Sequence, residues 1–374
     1  MHVLLVNHRF FPAEGGTERW TLGLAQALHR RGNEVTVLTQ SEPGVPGLEI
    51  LDGIEVRRIP MQRVGGFRIP SGYWHALRSI DYDLLHMSGN RIWCADFYFP
   101  VAEVFGGPQV ITPHDFYQLA MDPSPLNRLY FGRYLPFRLR AFQAYLALTE
   151  GEAGRITRFG YPRDKVRVVG EGIDLTDFSR PSPPLHLRER WGVSRPVLVL
   201  YVGGLWPNKR VDRLVSALEP VKDLASLVVV GRDVPGSASD QTHVATQASR
   251  LGVEVKFLGA LNRAEVVSAY RESDLYALGA QYEGFGISLV EAMASGLPFV
   301  SFDVGAARAL SREGGGRVAR TEEEFRSHLV ELVRNEGLRR EMGLKARTAS
   351  RSWEWDAVVD RYLEAYGEAV KAVE

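Results

Sequence analysis

The chain has 374 residues, of which 45% are hydrophobic and 24% are charged, and its 45 basic and 45 acidic side chains balance. This composition is typical of a globular protein, and the length predicts two α/β domains instead of one core. The balanced charge excludes a global field that would favour nucleic acid or an anionic membrane, so any site for a polyanion must be local.

The first apolar run, Val3–Val6, is short and is followed by polar residues instead of a cleavage site, so it predicts a buried strand and not a signal peptide. No stretch approaches the ~20 apolar residues of a membrane-spanning helix. The single cysteine, Cys94, excludes an internal disulfide and a cysteine-rich zinc site, which fits a reducing compartment. We therefore expect a cytoplasmic protein, at most peripheral to the inner face of a membrane.

Short β-branched runs alternate with amphipathic stretches in both halves of the chain, a pattern typical of parallel sheets with helical crossovers. In the first half the pattern predicts strands at 2–7, 34–39, 83–87, 110–112, 146–149 and 167–169. In the second half it predicts strands at 197–202, 227–231, 255–258, 275–278 and 298–302. Two similar α/β domains are implied.

The stiff segment 181–184, Pro-Ser-Pro-Pro, predicts a linker outside either sheet, because proline donates no backbone hydrogen bond. We place the domain boundary before it, between residues 170 and 171. The last segment has helical periodicity, and its apolar face comprises Trp353, Trp355, Val359, Tyr362 and Tyr366. This helix is expected to dock on an existing surface.

Ligands of open parallel sheets bind beyond the carboxyl ends of the strands, which draws attention to the loop after the first strand. Gly15 and Gly16 permit close backbone approach there, and Thr17 is predicted to cap the following helix. Free N–H groups at this place suit a phosphate or a sugar oxygen. A plain strand-to-helix turn explains the same residues, so both interpretations stay open.

His114 and Asp115 follow the strand at 110–112, again at the edge where a site is expected. His114 could donate to a sugar hydroxyl or stabilise charge, with Asp115 orienting its ring. A lone His-Asp pair on a loop is structural at least as often as functional, and spacing does not decide between the two.

The segment from Gly203 to Leu214 leaves the first strand of the second domain and enters a helix. It places Lys209 near the start of that helix, where a cation can neutralise a diphosphate. The segment is not a P-loop, because the Gly-Lys-Ser/Thr ending is absent.

A later loop carries two carboxylates, Glu283 and Glu291, separated by seven residues, with a Gly-x-Gly just after the first. A helix is predicted from about Ile287 to Ser295, so the glycine loop offers N–H groups to a phosphate. Glu291 then lies just over one turn into the helix, placed to accept both hydroxyls of a ribose. Two carboxylates also match a glycosidase pair, but beside Lys209 and the glycine loop they indicate a sugar nucleotide.

The pattern Glu-x7-Glu with Gly-Phe-Gly, preceded by Gly-x5-Lys, resembles family 4 of the retaining GT-B glycosyltransferases. The resemblance extends over nearly the whole chain, and the segments that match in the family's order are Gly15-Gly16, His114-Asp115, Thr149-Glu150, Gly172-Ile173-Asp174, Phe257-Leu258-Gly259, Glu283 to Glu291, Met293 to Pro298 and the terminal tryptophan-bearing helix. It implies an α/β fold of GT-B architecture, with two Rossmann-like domains (1–170 and 171–354) facing a cleft. The C-terminal helix, 355–374, is implied to return to the first domain.

The resemblance also implies roles for individual residues. Lys209, Glu283 and His114 are the implied catalytic residues, with Lys209 on the diphosphate and Glu283 on the donor sugar. Asp115 and Glu171 are assigned to the acceptor. The residues assigned to the donor are Gly15, Gly16, Gly203, Gly204, Lys209, Arg210, Gly231, Leu258, Gly259, Glu283, Gly284, Phe285, Gly286, Ile287 and, for the ribose, Glu291.

The implied reaction is hexosyl transfer with retention of configuration, from a UDP-, GDP-, ADP- or TDP-sugar, without a metal or another cofactor. The acceptor class is a small molecule, a glycan or a lipid-linked glycan, and no nucleic acid is expected as a partner. Two alternatives remain: a sugar-nucleotide 2-epimerase of the same fold, and a non-catalytic nucleotide-binding scaffold.

Three positions depart from the family pattern. Members usually have an arginine where this chain has Gly204, an asparagine where it has Glu171 and an acid where it has Ala309. The missing cation leaves three possibilities open: weak turnover, substitution by Arg210 or Arg308, or loss of catalysis.

Two other segments carry signals of a different kind. Asp81 and Asp83 match the Asp-x-Asp metal motif of another glycosyltransferase fold, but they enter a strand instead of leaving one, so no metal is expected there. The stretch 128–140 combines aromatic residues with four arginines and no acid. It predicts either a solvated domain face or a contact with anionic lipid, and Pro136 is expected to interrupt its helix.

Overall fold

The computed structural model describes the chain except residues 14, 65–66, 90–92, 115–123, 182, 237–239 and 374. The chain divides into two compact units: unit 1 comprises Met1–Gly172 and Trp355–Glu374, and unit 2 comprises Ile173–Glu354. The division lies two residues beyond the predicted boundary, within a short loop that follows the last strand of unit 1.

Unit 1 is built on an eight-stranded sheet in the order β10-β9-β8-β7-β1-β2-β4-β3, and β5 and β6 form a separate hairpin. Within the large sheet only β3 runs antiparallel to its neighbour, β4. The central strands are fully buried, as their continuous apolar sequences require. The strands are β1 His2–Val6, β2 Glu34–Gln40, β3 Leu48–Leu51, β4 Ile54–Ile59, β5 Met61–Val64, β6 Phe67–Pro70, β7 Leu84–Ser88, β8 Gln109–Thr112, β9 Ala144–Ala147 and β10 Val166–Val168.

Helices connect these parallel strands. They are α1 Gly16–Arg30, α2 Tyr73–Arg78, α3 Trp93–Tyr98, α4 Ala102–Phe105, α5 Pro125–Leu129, α6 Leu135–Leu139 and α7 Glu150–Arg158. A π-helical turn, Tyr130–Tyr134, joins α5 to α6 without a break, and 3-10 turns lie at Phe99–Val101 and Arg163–Lys165. The prediction that Pro136 interrupts the helix is therefore wrong: Pro136 lies in the first turn of α6, where the wide turn before it accommodates a residue without an N–H group.

Unit 2 is built on a six-stranded sheet in the order β13-β12-β11-β14-β15-β16. Every neighbouring pair is parallel, and β11 is buried along nearly its whole length. The strands are β11 Val197–Val202, β12 Ala225–Val230, β13 Glu254–Gly259, β14 Leu275–Leu278, β15 Phe299–Phe302 and β16 Gly316–Ala319.

Side-chain caps fix the starts of several helices of unit 2. Asn262 and Glu265 form a capping box at α12, and Thr321 accepts a backbone N–H at the start of α15. The helices are α8 Thr176–Ser179, α9 Leu187–Arg190, α10 Val211–Leu218, α11 Gln241–Leu251, α12 Arg263–Arg271, α13 Ile287–Ala294, α14 Ala307–Ser311, α15 Glu322–Arg334 and α16 Glu336–Ser350. The 3-10 turns are Pro207–Lys209, Glu219–Val221 and Arg351–Trp353.

The terminal helix α17, Trp355–Lys371, belongs to unit 1. Its apolar face is buried, and the Tyr362 hydroxyl accepts the indole N–H of Trp20 at 3.2 Å and donates to the Gly170 carbonyl at 2.8 Å. Trp353 does not share this face, contrary to the predicted helix. It lies in the 3-10 turn before Glu354, whose extended backbone separates the turn from α17. In the described part of the chain no helix has the length and apolarity to cross a membrane.

Candidate active site

The switch point of the second sheet lies between β11 and β14. After β11 the chain continues to β12 on one side of the sheet, and after β14 it continues to β15 on the other side, so the loops after β11 and β14 diverge and leave a crevice at the carboxyl edge. Asn208 joins the two loops. Its side-chain amide donates to the Tyr282 carbonyl at 3.1 Å, and its backbone carbonyl accepts the N–H of Gln281 at 2.8 Å. These bonds position the side chains that follow.

Lys209 and Glu283 meet at this crevice. The Lys209 ammonium lies 2.7 Å from a Glu283 carboxylate oxygen, and the two side chains are 19% and 14% exposed. An ammonium group has three donors, so the pair leaves two N–H groups of Lys209 for a ligand. The sequence predicted both residues at the site, and the structure brings them together.

The glycine loop after Glu283 leads directly into α13. Gly286 is the N-cap of α13, with a φ of +97°, and it provides no side-chain cap for the first N–H groups of the helix. The carbonyl of Phe285 accepts the Ala306 N–H at 2.8 Å, and a Cβ at Gly305 would collide with it, so the loop is held from behind. The first N–H groups of α13 therefore lack a side-chain cap, an arrangement that suits an anion.

Glu291 lies one turn into α13 and has a 6% exposed side chain. One carboxylate oxygen accepts from Arg263, and the other accepts the Tyr270 hydroxyl at 3.0 Å. A carboxylate offers about four lone-pair sites, so Glu291 can still accept hydroxyl groups of a ligand.

Arg263 and Tyr270 contact Glu291 but were not predicted from the sequence. Arg263 also pairs with Asp177, at 2.9 Å. Burial lowers the pKa of Arg263, but the charges and hydrogen bonds of Glu291 and Asp177 outweigh burial, and the net pKa is raised. The only sequence signal is the position of Arg263 at the start of α12, which does not identify its partners.

Glycines allow the backbones at the ends of β11, β12 and β13 to pack closely together. A Cβ at Gly231 would collide with the carbonyl of Gly203, and the Gly231 N–H donates to the Gly259 carbonyl at 2.8 Å. Leu258, one residue earlier in β13, is buried. These predicted residues therefore bring three loops into contact at the same edge of the sheet.

The position of the expected arginine, Gly204, has a neighbour that the sequence did not reveal. A Cβ at Gly204 would lie 2.8 Å from the indole nitrogen of Trp206, whose side chain is 52% exposed. A longer side chain at residue 204 must therefore displace Trp206.

The two arginines that could replace the missing cation are both held by acids. Arg210, in the left-handed conformation with a φ of +46°, forms two-pronged hydrogen bonds to Asp212 at 2.7 to 3.1 Å. Arg308 pairs with Asp303. The charge of either arginine is therefore already offset by a carboxylate.

In unit 1 the corresponding switch point lies between β1 and β7. Gly15 is the N-cap of α1 and makes no side-chain cap, while Gly16 has open space beside its Cα. The prediction that Thr17 caps the helix is wrong. Thr17 lies inside the first turn, because the helix begins at Gly16, and its hydroxyl donates to the Glu18 carboxylate at 3.0 Å.

His114 follows β8 with a φ of +57°, and its Nε2 lies 2.9 Å from the Ser88 hydroxyl at the end of β7. Its ring packs edge-on against Trp20, with 4.5 Å between ring centroids. Burial lowers the pKa of His114 to about 3, so at neutral pH it acts as a neutral hydrogen-bonding group. Asp115, the predicted partner of His114, lies outside the described residues.

His86 shares the environment of His114. Its two ring nitrogens contact Tyr366 at 2.6 Å and Thr112 at 2.9 Å, and burial together with His114 lowers its pKa to about 3. In the unfolded chain His86 and His114 become protonated below about pH 6.5, whereas in the folded chain they become protonated only near pH 3. The contribution of the two neutral histidines to the free energy of unfolding is therefore fully present above pH 6.5 and is lost as the pH falls towards 3.

We expect the free energy of unfolding to fall by about 1.4 kcal/mol per pH unit for each of these histidines below pH 6. Urea unfolding between pH 7.5 and 4.5 measures this slope. In His86→Gln the slope should be smaller by about that amount, whatever the variant's absolute stability. An unchanged slope would contradict the buried, neutral state of His86.

Glu171 is partly buried and lies in the loop between β10 and the end of unit 1. Its neighbours are tied to α17, since the Gly170 carbonyl accepts from Tyr362 and a Cβ at Gly172 would collide with Trp355. Glu171 thus lies on the same sheet edge as His114, at the carboxyl ends of the strands.

Asp81 and Asp83 precede β7, at the amino edge of the sheet. They line a cavity of about 340 Å³ with His2, whose backbone N–H donates to Asp83 at 2.7 Å. Among the described residues, no group of three or more His, Cys, Asp or Glu side chains is placed to hold a metal.

The chain matches two family models, one in each half. Residues 14–177 match the model described as Glycosyltransferase Family 4, and residues 187–349 match the model described as Glycosyl transferases group 1. The chain is 30% identical to a D-inositol 3-phosphate glycosyltransferase of Salinispora arenicola, over 96% of this chain and 88% of the relative. It is 27% identical to a GDP-mannose-dependent alpha-mannosyltransferase of Mycolicibacterium smegmatis, over 98% and 97% of the two chains.

Among solved structures, the sucrose-phosphate synthase of Thermosynechococcus elongatus superposes with a TM-score of 0.79 at 18% identity, covering 99% of both chains. This likeness shows the GT-B fold that the resemblance implied. With both family models, relatives of nearly the same length and this fold, the chain is a glycosyltransferase and belongs to family 4.

Proposed function

We propose that this glycosyltransferase moves a sugar from its nucleotide-sugar donor to an acceptor with retention of configuration and without a metal. Unit 2 holds the donor, with Lys209 and the glycine loop on the diphosphate and Glu291 on the ribose. Unit 1 holds the acceptor, with His114, Asp115 and Glu171 on its side of the reaction. The observation that carries the proposal is the Lys209–Glu283 pair beside the start of α13.

The chemical step breaks the bond between the anomeric carbon and the diphosphate oxygen and forms a bond from that carbon to an acceptor oxygen. Negative charge grows on the departing nucleoside diphosphate, where Lys209 and the N–H groups at the start of α13 stabilise it. The acceptor proton passes to the departing phosphate oxygen, so no separate protein base is required. His114, neutral because of its lowered pKa, contributes a hydrogen bond instead of a proton.

A screen of UDP-, GDP-, ADP- and TDP-sugars by thermal shift tests the donor assignment. Saturating donor at a hundred times its Kd should raise stability by about 2.7 kcal/mol. Because the relatives are named for D-inositol 3-phosphate and GDP-mannose, GDP-mannose is tested first as the donor and D-inositol 3-phosphate as the acceptor. Transfer requires both substrates, an epimerase converts the donor without acceptor, and a scaffold binds the donor without consuming it.

Chelation provides the test for the metal. We expect EDTA to leave the transfer rate unchanged, because Lys209 and the α13 N–H groups supply the positive charge that a metal would otherwise supply. The measurement is the initial rate of transfer in EDTA, with a matched reaction in which manganese is added back. Loss of activity in EDTA that manganese restores would contradict the metal-free mechanism.

We also propose that unit 1 contacts anionic lipid through the basic helical segment, residues 125–140. Along this segment Leu126, Leu129, Tyr134 and Phe137 are 71%, 57%, 37% and 56% exposed. Arg128, Arg133 and Arg140 are exposed among them, and the segment contains no acid. Exposed apolar side chains flanked by arginines suit the interface of a membrane with negatively charged headgroups.

Vesicle sedimentation tests this contact. The wild type should bind vesicles of phosphatidylglycerol and phosphatidylcholine and should bind pure phosphatidylcholine weakly. Changing Arg128, Arg133 and Arg140 to Gln should lower the partition coefficient about a hundredfold, since each arginine near the surface contributes about 1 kcal/mol. Equal sedimentation of wild type and variant would exclude the lipid contact and leave a solvated face.

A further inference from the structure

Gly204 has an arginine beside it on the neighbouring strand. Val202 of β11 pairs with Val230 of β12, and two residues further the Leu205 N–H donates to the Arg232 carbonyl at 3.0 Å. This hydrogen bond continues the parallel register past the ends of the strands and makes Gly204 and Arg232 neighbours. Adjacent strands are about 4.8 Å apart. The Cα of Arg232 is therefore about one strand spacing from Gly204, where the family usually has its arginine.

Arg232 differs from Arg210 and Arg308 in its charge environment. It is exposed, and within the part of the chain that the structure describes its guanidinium forms no ion pair. No ion pair joins it to the adjacent Asp233, one oxygen of which accepts the N–H groups of Val234 and Gln241, each at 2.9 Å. Its charge is therefore not offset by a carboxylate and is available to an anion.

Trp206 occupies the place that a side chain at residue 204 would need. Its indole nitrogen lies 2.8 Å from the place of a Cβ on Gly204, so the ring fills the space that a side chain at residue 204 needs. A cation can then reach this edge of the crevice more readily from the end of β12 than from residue 204 itself.

We propose that Arg232 is the second side-chain cation for the donor diphosphate, in place of the arginine that this chain lacks at Gly204. A guanidinium group binds phosphate oxygens with two parallel hydrogen bonds, and Arg232 lies beside the loop that leads from β11 to Lys209. The inference rests on the proposed function, which places a nucleoside diphosphate in unit 2.

Calorimetry on Arg232→Ala tests the assignment, with UDP, GDP, ADP and TDP as probes. The best-bound diphosphate of the wild type should bind about tenfold to a hundredfold more weakly, the effect of losing charge-assisted hydrogen bonds. The affinity for the corresponding nucleoside, measured by competition, should not change. Arg232→Lys should recover part of the loss, and Arg250→Ala, which removes an exposed arginine from α11, should bind like the wild type.

Three results would overturn the inference, and they differ from one another. Wild-type diphosphate affinity in Arg232→Ala excludes Arg232 from the site and leaves the proposed function intact. Equal losses for nucleoside and diphosphate show that Arg232 supports the fold or the base and not the phosphates. If the wild type binds none of the four diphosphates, the proposed function fails, and the inference fails with it.

Discussion

Lys209→Ala should lower kcat/KM for sugar transfer about 150-fold or more, equivalent to at least ~3 kcal/mol of transition-state stabilisation. Lys209 is paired only with Glu283 among the contacts described and keeps donors for the diphosphate, whereas Arg210 and Arg308 are each held by a neighbouring acid. Most of the loss should appear in kcat, because the charge that Lys209 meets grows as the sugar departs. Steady-state kinetics with the identified donor and acceptor measures both constants.

The matched control is Lys345→Ala. Lys345 also pairs with a glutamate, Glu341, at 2.6 Å in the same unit, but on the exposed side of α16. This variant removes the same charge and breaks an ion pair of similar length, and we expect wild-type kinetics. Near wild-type kcat/KM in Lys209→Ala would place the diphosphate elsewhere.

Glu291→Ala should weaken binding of nucleoside diphosphate about tenfold to a hundredfold, because a carboxylate that accepts ribose hydroxyls makes bonds of about 1.5 to 3 kcal/mol. Calorimetry measures the affinity. Part of the effect comes from the protein itself, since Arg263 and Tyr270 lose a buried partner. The alanine variant should also melt at a lower temperature.

Glu291→Gln separates the two effects, since it keeps an oxygen for Tyr270 and removes the charge. The wild type should prefer a ribonucleoside diphosphate over its 2′-deoxy form, and Glu291→Gln should lose most of this preference. Glu331→Gln, an exposed change on α15, should keep it. If Glu291→Gln discriminates as well as the wild type, Glu291 does not contact the ribose.

The strands were predicted best where both faces are buried. β11 and β14 have the predicted bounds, 197–202 and 275–278, because a continuous apolar run has no other place than the centre of a sheet. β3, β4, the β5–β6 hairpin and β16 were not predicted. Most of these strands alternate apolar with polar residues at edges or on the surface, where sequence patterns of strands and loops are alike.

The sequence by itself determined the family, the two α/β units and the loops that could carry a site. The reason is local: buried strands must be apolar, loops at their carboxyl ends must turn, and glycines with flanking charges are visible in the chain at fixed spacing.

Only the tertiary structure decided which side chains meet. Lys209 and Glu283, Arg263 and Glu291, and Gly204 and Arg232 are each 28 or 74 positions apart and become neighbours only in the folded chain. The tertiary structure also decides which charges are already neutralised, such as that of Arg210 by Asp212. It likewise decides which space is filled, as Trp206 shows beside Gly204. Distances and competing partners arise from packing in three dimensions, so a one-dimensional pattern names the candidates but does not choose among them.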